Sequence, residues 1–259
     1  MPHEGTIAAV IGGGNGIGEA TCRLMRERGW QMAVVDRDRD AAERVVGSLG
    51  ALAVVADIAV ADDVERAAAQ IEATCGPVVA LVVAAAVYQD VLPPAQLPME
   101  IWERTLQVNL TGTYLANRAF GTRMAARGSG SIVNIASIAA IASMPVHAYG
   151  PSKAAVVALS RNLAGEWGRA GVRVNVVSPG STLVPRVEQR IKSGRYAAEP
   201  GQFTALGRMV RPNEVAEAIE FLASDRASAI TGVNLVVDAG WAIASTWAQY
   251  GGVPGAPKR

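Results

Sequence analysis

Thr6-Ile7-Ala8-Ala9-Val10-Ile11-Gly12-Gly13-Gly14-Asn15-Gly16-Ile17-Gly18 is the stretch that decides the fold. Its first six residues are a short apolar run of the kind that makes a buried strand. After the glycines, Ile17, Ala20, Thr21, Leu24 and Met25 recur at helical spacing, and Gly29 closes the helix. The glycines therefore occupy a strand-to-helix turn. Lacking side chains, they let the backbone approach a ligand. The helix N-terminus behind them offers unpaired N–H groups and the positive end of its dipole. Gly12, Asn15, Gly16, Ile17 and Gly18 are candidates to seat a pyrophosphate, and a purely structural glycine turn fits the same residues.

Working outward, residues 31–35 form a second apolar strand ending at Asp36, eighteen residues beyond Gly18. A carboxylate there would accept both ribose hydroxyls of an adenosine and repel a 2′-phosphate; a helix-capping role is the alternative. Residues 51–56 make a third strand ending at Asp57, within reach of an adenine edge, and residues 78–85 a fourth. Val64, Ala67, Ala68, Ile71 and Cys75 mark a helix between these two. Alternating strand and helix predicts an α/β fold: one Rossmann-type, doubly wound parallel sheet flanked by helices. Such sheets bind ligands at the carboxyl ends of their strands. Further strands are expected at 132–136, 172–177 and 233–237, with one long helix over 99–126 containing Asn109. In so apolar a setting Asn109 needs partners, as a backbone clasp or in a proton relay. Residues 181–203, with Gly194, Pro200 and Gly201, read as a mobile lid.

Ser137 ends the strand at 132–136, and twelve residues later comes Tyr149-Gly-Pro-Ser-Lys153. On a helix, positions four apart share a face, so a lysine ammonium stands beside a phenol. A free tyrosine titrates near 10 and is a poor base at neutral pH. A nearby cation favours the phenolate. Reaching pH ~7–8 takes a shift worth roughly 3–4 kcal/mol. Alone, the spacing fits a surface helix pair equally well.

Half of the 259 residues are hydrophobic, which suits one large α/β domain over 1–259 with a tail at 241–259. A net charge of +1 gives no field to draw nucleic acid or an anionic membrane. Cys22 and Cys75 have no metal spacing and form no evident disulfide framework, which fits a reducing cytoplasm. The N-terminus lacks the basic segment and apolar run of a signal peptide. Residues 154–159 are apolar all round, more than one sheet contact needs, so a homo-oligomer, most economically a tetramer, is expected. Trp241, Trp247 and Tyr250 predict an ordered tail, packed near the site or on a neighbouring subunit.

Together these residues resemble the short-chain dehydrogenase/reductase family over about residues 5–240. Gly12-x-x-x-Gly16-x-Gly18 is similar to its cofactor turn. Asn109, Ser137, Tyr149 and Lys153 are similar to its catalytic tetrad, and Pro179-Gly180 to its turn beside the nicotinamide. The resemblance implies that Tyr149 is the general acid/base and that Ser137 bonds the substrate oxygen. Lys153 would bind nicotinamide ribose and lower the Tyr149 pKa, and Asn109 would hold a relay water. It implies NAD as cofactor, with Ile58, Ala85 and Thr182 among its contacts and no metal. Three departures bear on the cofactor. Ile11 stands where Thr is usual, Val83-Ala84-Ala85-Ala86 replaces an Asn- and Gly-containing segment, and Val184 stands where another Thr is usual. The residues at 177–182 are similar to those of 2,3-dihydro-2,3-dihydroxybenzoate dehydrogenases, which points to a cyclic secondary alcohol or diol as substrate. Met144 and His147 are candidate pocket liners, with a bland loop role also open to His147. The alternatives are an NADPH-dependent ketoreductase and a non-catalytic dinucleotide sensor.

Overall fold

Parallel strands need crossover connections, and the apolar runs separated by helical segments supply them. The computed structural model describes residues 5–194 and 200–255. Seven strands pair in parallel in the order β3-β2-β1-β4-β5-β6-β7. They are β1 (Ile7–Ile11), β2 (Gln31–Asp36), β3 (Leu52–Val55), β4 (Val78–Val83), β5 (Gly130–Ile135), β6 (Val172–Pro179) and β7 (Asn234–Val237). The order reverses between β1 and β4, which opens a crevice at their carboxyl ends.

Side-chain alternation along the strands divides the core. Ala8 and Val10 of β1, Met32 and Val34 of β2 and Val82 of β4 pack with helices α1 (Gly16–Glu27), α2 (Arg39–Leu49) and α8 (Pro212–Ala223). Ala9, Ile11, Val35, Leu81 and Val83 face the opposite layer, with α3 (Ala61–Cys75) and α5 (Thr113–Arg127). In that layer α6 (Tyr149–Trp167) buries Val156, Val157 and Ala164. A two-sided burial of near-continuous apolar strands is what a parallel sheet requires.

The helix expected over 99–126 is interrupted. It runs as α4 (Met99–Leu106), then a π-helical turn at Gln107–Gly112, then α5. Asn109 lies in the turn, and the Thr113 hydroxyl donates to its carbonyl at 2.7 Å. The segment expected to be an irregular lid contains a helix, α7 (Pro185–Lys192). Residues 195–199 of that segment, and the ends at 1–4 and 256–259, lie outside the described residues. The tail folds as α9 (Trp241–Ala244) and a 3-10 turn, Ser245–Tyr250. Asp238 caps it, accepting from the Gly240 N–H at 2.8 Å and the Ala242 N–H at 2.7 Å. Ala244 is buried and Trp241 half-buried, but Trp247 is 49% and Tyr250 83% exposed, so within one chain the tail does not bury these two aromatics. Among the described residues no helix is long and apolar enough to cross a membrane.

Candidate active site

A cavity of about 760 Å³ lies at the carboxyl edge of the sheet. Gly12, Asn15, Gly16, Ile17, Gly18, Asp36, Asp57, Ile58, Ala85, Pro179, Gly180 and Thr182 all line it, as do Ser137, Tyr149 and Lys153. Asn109 and His147 do not line it, and neither do the described residues of the tail.

The cofactor end is built from backbone. The Ala84 and Ala85 N–H groups donate to the Ile11 carbonyl at 2.8 and 2.9 Å, tying the ends of β1 and β4 together. A side chain on Gly12, which has a φ of +81°, would strike the Ala85 nitrogen, and one on Gly18 would strike the Gly12 carbonyl oxygen. The segment at 83–86 therefore keeps these backbone ties although it lacks the usual amide side chain and glycine. The first-turn N–H groups of α1 have no intrahelical acceptors. Asp36 lines the same cavity; its Oδ2 accepts from the Gly14 N–H at 2.9 Å and its Oδ1 accepts from the Asp38 N–H at 3.1 Å. Each carboxylate oxygen keeps a further lone pair for a ribose hydroxyl. Helix capping of α2 falls instead to Asp38, which accepts from the Ala41 N–H at 3.1 Å. Asp57 accepts from the Ala59 N–H at 2.9 Å and pairs with Arg104 at 3.2 Å. Burial pushes its carboxyl up, but these two donors and the charges of Arg104 and Arg37 outweigh it and hold it below the usual range. A dinucleotide fits this end: backbone N–H groups for its phosphates, carboxylates for its sugar and base.

At the other end, Tyr149 opens α6. The Gln89 side chain caps that helix, its Oε1 accepting from the Ala148 and Tyr149 N–H groups at 2.5 and 3.0 Å. Gln89 is 2% exposed, so the cap is held out of water. A second strap runs from Asn109. Its Oδ1 accepts from the Val87 N–H at 2.9 Å, and its Nδ2 donates to the Val87 carbonyl at 3.0 Å and to Ser152 Oγ at 3.1 Å. Ser152 Oγ in turn donates to the Tyr149 carbonyl at 2.7 Å. With both amide hydrogens engaged, the Asn109 side chain clasps the Val87 backbone, and its Oδ1 keeps a second lone pair to which a relay water can donate. The Tyr88 ring tilts against the Tyr149 ring with centroids 4.8 Å apart.

The electrostatics depart from the expected direction. Burial pushes the Tyr149 phenol above its ordinary value; a hydrogen bond with Ser137 and the charge of Arg186 pull it partly back. The Lys153 ammonium is 5.7 Å from the Tyr149 ring centroid and donates to the Ile135 carbonyl at 2.7 Å. Burial also pulls Lys153 down to about 8, weakening it as a fixed cation. Tyr88, Gln89, Arg186 and Arg190 escaped the sequence reading. Tyr88 and Gln89 sit only a few residues beyond β4, on the ligand-binding edge, and that was the available signal.

A family model described as enoyl-(acyl carrier protein) reductase matches residues 12–242. The chain is 37% identical to D-threitol dehydrogenase of Mycolicibacterium smegmatis, over 93% of this chain and 94% of that one. It is also 37% identical to 2,5-dichloro-2,5-cyclohexadiene-1,4-diol dehydrogenase of Sphingobium indicum, over 92% and 97%. A solved structure from Brucella melitensis, titled ribose-5-phosphate isomerase, superposes with a TM-score of 0.95 at 48% identity, covering 97% of this chain and 98% of that one.

Proposed function

The chain belongs to the short-chain dehydrogenase/reductase family, and from that premise we propose an NAD-dependent dehydrogenase of small, cyclic or polyhydroxylated secondary alcohols. The observation that carries the reading is one cavity lined at one end by Asp36 and the glycine turn and at the other by Ser137, Tyr149 and Lys153. NAD would be held by Gly12, Asn15 to Gly18, Asp36, Asp57, Ile58, Ala85, Lys153 and the Pro179–Thr182 turn, and when bound it supplies the hydride acceptor. Ser137 holds the alcohol oxygen, and Tyr149 Oη moves its proton. Lys153 binds ribose hydroxyls. The diol and polyol names of the relatives support the substrate class. A sugar isomerase needs no nicotinamide, so the glycine turn and Asp36 argue against that activity for this chain. Arg37, which lines the cavity beside Asp36, is the observation for the NADPH-dependent alternative.

Incubation with NAD and a panel of cyclic alcohols and polyols, followed at 340 nm, tests the reading; no turnover across the panel would refute it. NAD should be preferred over NADP by about tenfold or more in kcat/KM. A charge-assisted hydrogen bond is worth ~1.5–3 kcal/mol, and ~1.4 kcal/mol is tenfold. Asp36→Ala should narrow that preference; equal use of both cofactors by the wild type would remove Asp36 from the ribose.

Gln89 acts through Tyr149 as a positioning residue. Gln89→Ala should cost about 1 kcal/mol of stability, as lost helix caps do, and roughly tenfold in kcat. NAD affinity should hold, and Gln89→Glu, which keeps the acceptor, should recover most of kcat. If kcat were unchanged in the alanine variant, the cap would be structural only.

A homotetramer in the cytoplasm completes the proposal. Its support is the outward face of α6, where Pro151, Ala154 and Ala158 are exposed and offer a flat, small-residue surface. The exposed Ile243, Trp247 and Tyr250 would be covered in the same assembly. Light scattering measures the size directly.

A further inference from the structure

The cavity lining carries positive charge that the proposed reaction does not use. Arg186 and Arg190 are one turn apart on α7, and both line the cavity. Their guanidinium carbons lie 4.8 and 5.0 Å from the centroid of the Tyr88 ring. That ring is the one packed on Tyr149. A stacked guanidinium keeps its N–H edges free to bind a carboxylate or phosphate in its plane.

The two arginines differ in what already holds them. Arg190 pairs with Asp90 at 2.6 Å. Among the described residues no carboxylate lies within ion-pair distance of Arg186. Its charge is nonetheless felt at the phenol, which it draws downward. Val187 and Gln189 of the same helix also line the cavity and carry no charge, and Asp90 is held by Arg190. The cavity thus presents a solvent-exposed guanidinium with no ion-pair partner among the described residues, over the Tyr88 ring that packs on Tyr149.

We propose that Arg186 binds an anionic group on the substrate, so that the preferred alcohol carries a carboxylate or a phosphate set back from the hydroxyl carbon. This rests on the alcohol dehydrogenase reading for the identity of the reacting hydroxyl, but the anion site itself is separable from it. A flat guanidinium edge takes either anion in two parallel hydrogen bonds, so both classes share the chemistry.

The test uses binding as well as turnover. The full-length enzyme is loaded with NADH and titrated with cyclohexanecarboxylate, cyclohexyl phosphate and neutral cyclohexanecarboxamide, reading NADH fluorescence. One or both anions should bind about tenfold or more tightly than the amide, as expected for a charge-assisted contact. The tighter of the two identifies the anion class. Arg186→Met, which keeps the unbranched stem, should collapse that ratio, and Arg186→Lys should keep part of it. In turnover, cis-4-hydroxycyclohexanecarboxylate should exceed its amide in kcat/KM by a similar factor, and the methionine variant should erase the difference. Anion-selective binding without oxidation of any alcohol would sustain the site and refute the dehydrogenase reading. Equal binding of anions and amide by the wild type overturns the proposal. So does a methionine variant that weakens NADH itself and leaves the ratio intact, because Arg186 would then serve the cofactor phosphates.

Discussion

Tyr149→Phe is expected to bind NAD about as well as the wild type and to turn over alcohol about 10²–10⁴-fold more slowly, the range for a lost general acid/base. The substitution removes one oxygen. The ring stays, because its packing on Tyr88 at 4.8 Å needs only the aromatic face. The capped start of α6 also stays, since Gln89 and Ser152 bind the Tyr149 backbone rather than the phenol. The effect should therefore fall on kcat. The pH dependence follows from the direction of the shift. Burial raises the phenol above its ordinary value, so the free enzyme holds it protonated at neutral pH. Ketone reduction uses that protonated form as it stands. Alcohol oxidation needs the phenolate, whose fraction grows with pH. Oxidation in the wild type should thus climb into the alkaline range while reduction declines there, and the phenylalanine variant should lose both limbs. Steady-state kinetics across pH 6–10 would decide it: a variant keeping a tenth or more of wild-type kcat takes Tyr149 out of the chemistry.

What the chain disclosed in advance depended on how local each signal was. Buried parallel strands are near-continuous apolar runs, so β1, β2 and β4 were legible to within a residue or two. The glycine turn was legible because strand, glycines and helix are contiguous. Tyr149 and Lys153 share a helix face by spacing alone. The π turn at Asn109 was not legible, because its side chain bonds Val87, which the chain places far away and the sheet brings close. Nor was Gln89, whose partners lie on a helix some sixty residues later. The helix α7 was readable in principle. Pro185 at its first position and the Val187–Ile191 pair four apart are ordinary helix signals. The glycines and prolines nearby hid it. For Lys153, spacing gave the helix face, but could not reveal that the ammonium donates to the Ile135 carbonyl and is itself depressed by burial.

That burial makes Lys153 the site where function and stability separate most clearly. Lys153→Met should lose activity by about 10²–10⁴-fold and bind NAD more weakly, because the proposed mechanism gives one amine both the ribose and the proton chemistry. The free protein, however, should not be destabilised in proportion. Lys153 is 2% exposed, and burial alone draws it from 10.5 to about 8. The unfolded chain then holds that proton more tightly than the folded one. The penalty is fully present below pH about 8 and fades as pH rises toward 10.5, so its removal stabilises most at low pH. At about 1.36 kcal/mol per pH unit the penalty is of order 3 kcal/mol. Methionine removes it and fills similar space, but leaves the Ile135 carbonyl unbonded, at a cost of ~1–3 kcal/mol. The two effects nearly cancel at pH 6.5, so urea midpoints of variant and wild type should lie close together there. By pH 10 the wild type should pull ahead, since its penalty has mostly gone while the variant's lost hydrogen bond has not. A variant less stable by more than about 2 kcal/mol at pH 6.5, or a difference independent of pH, would show that the amine is not held against its own solvation.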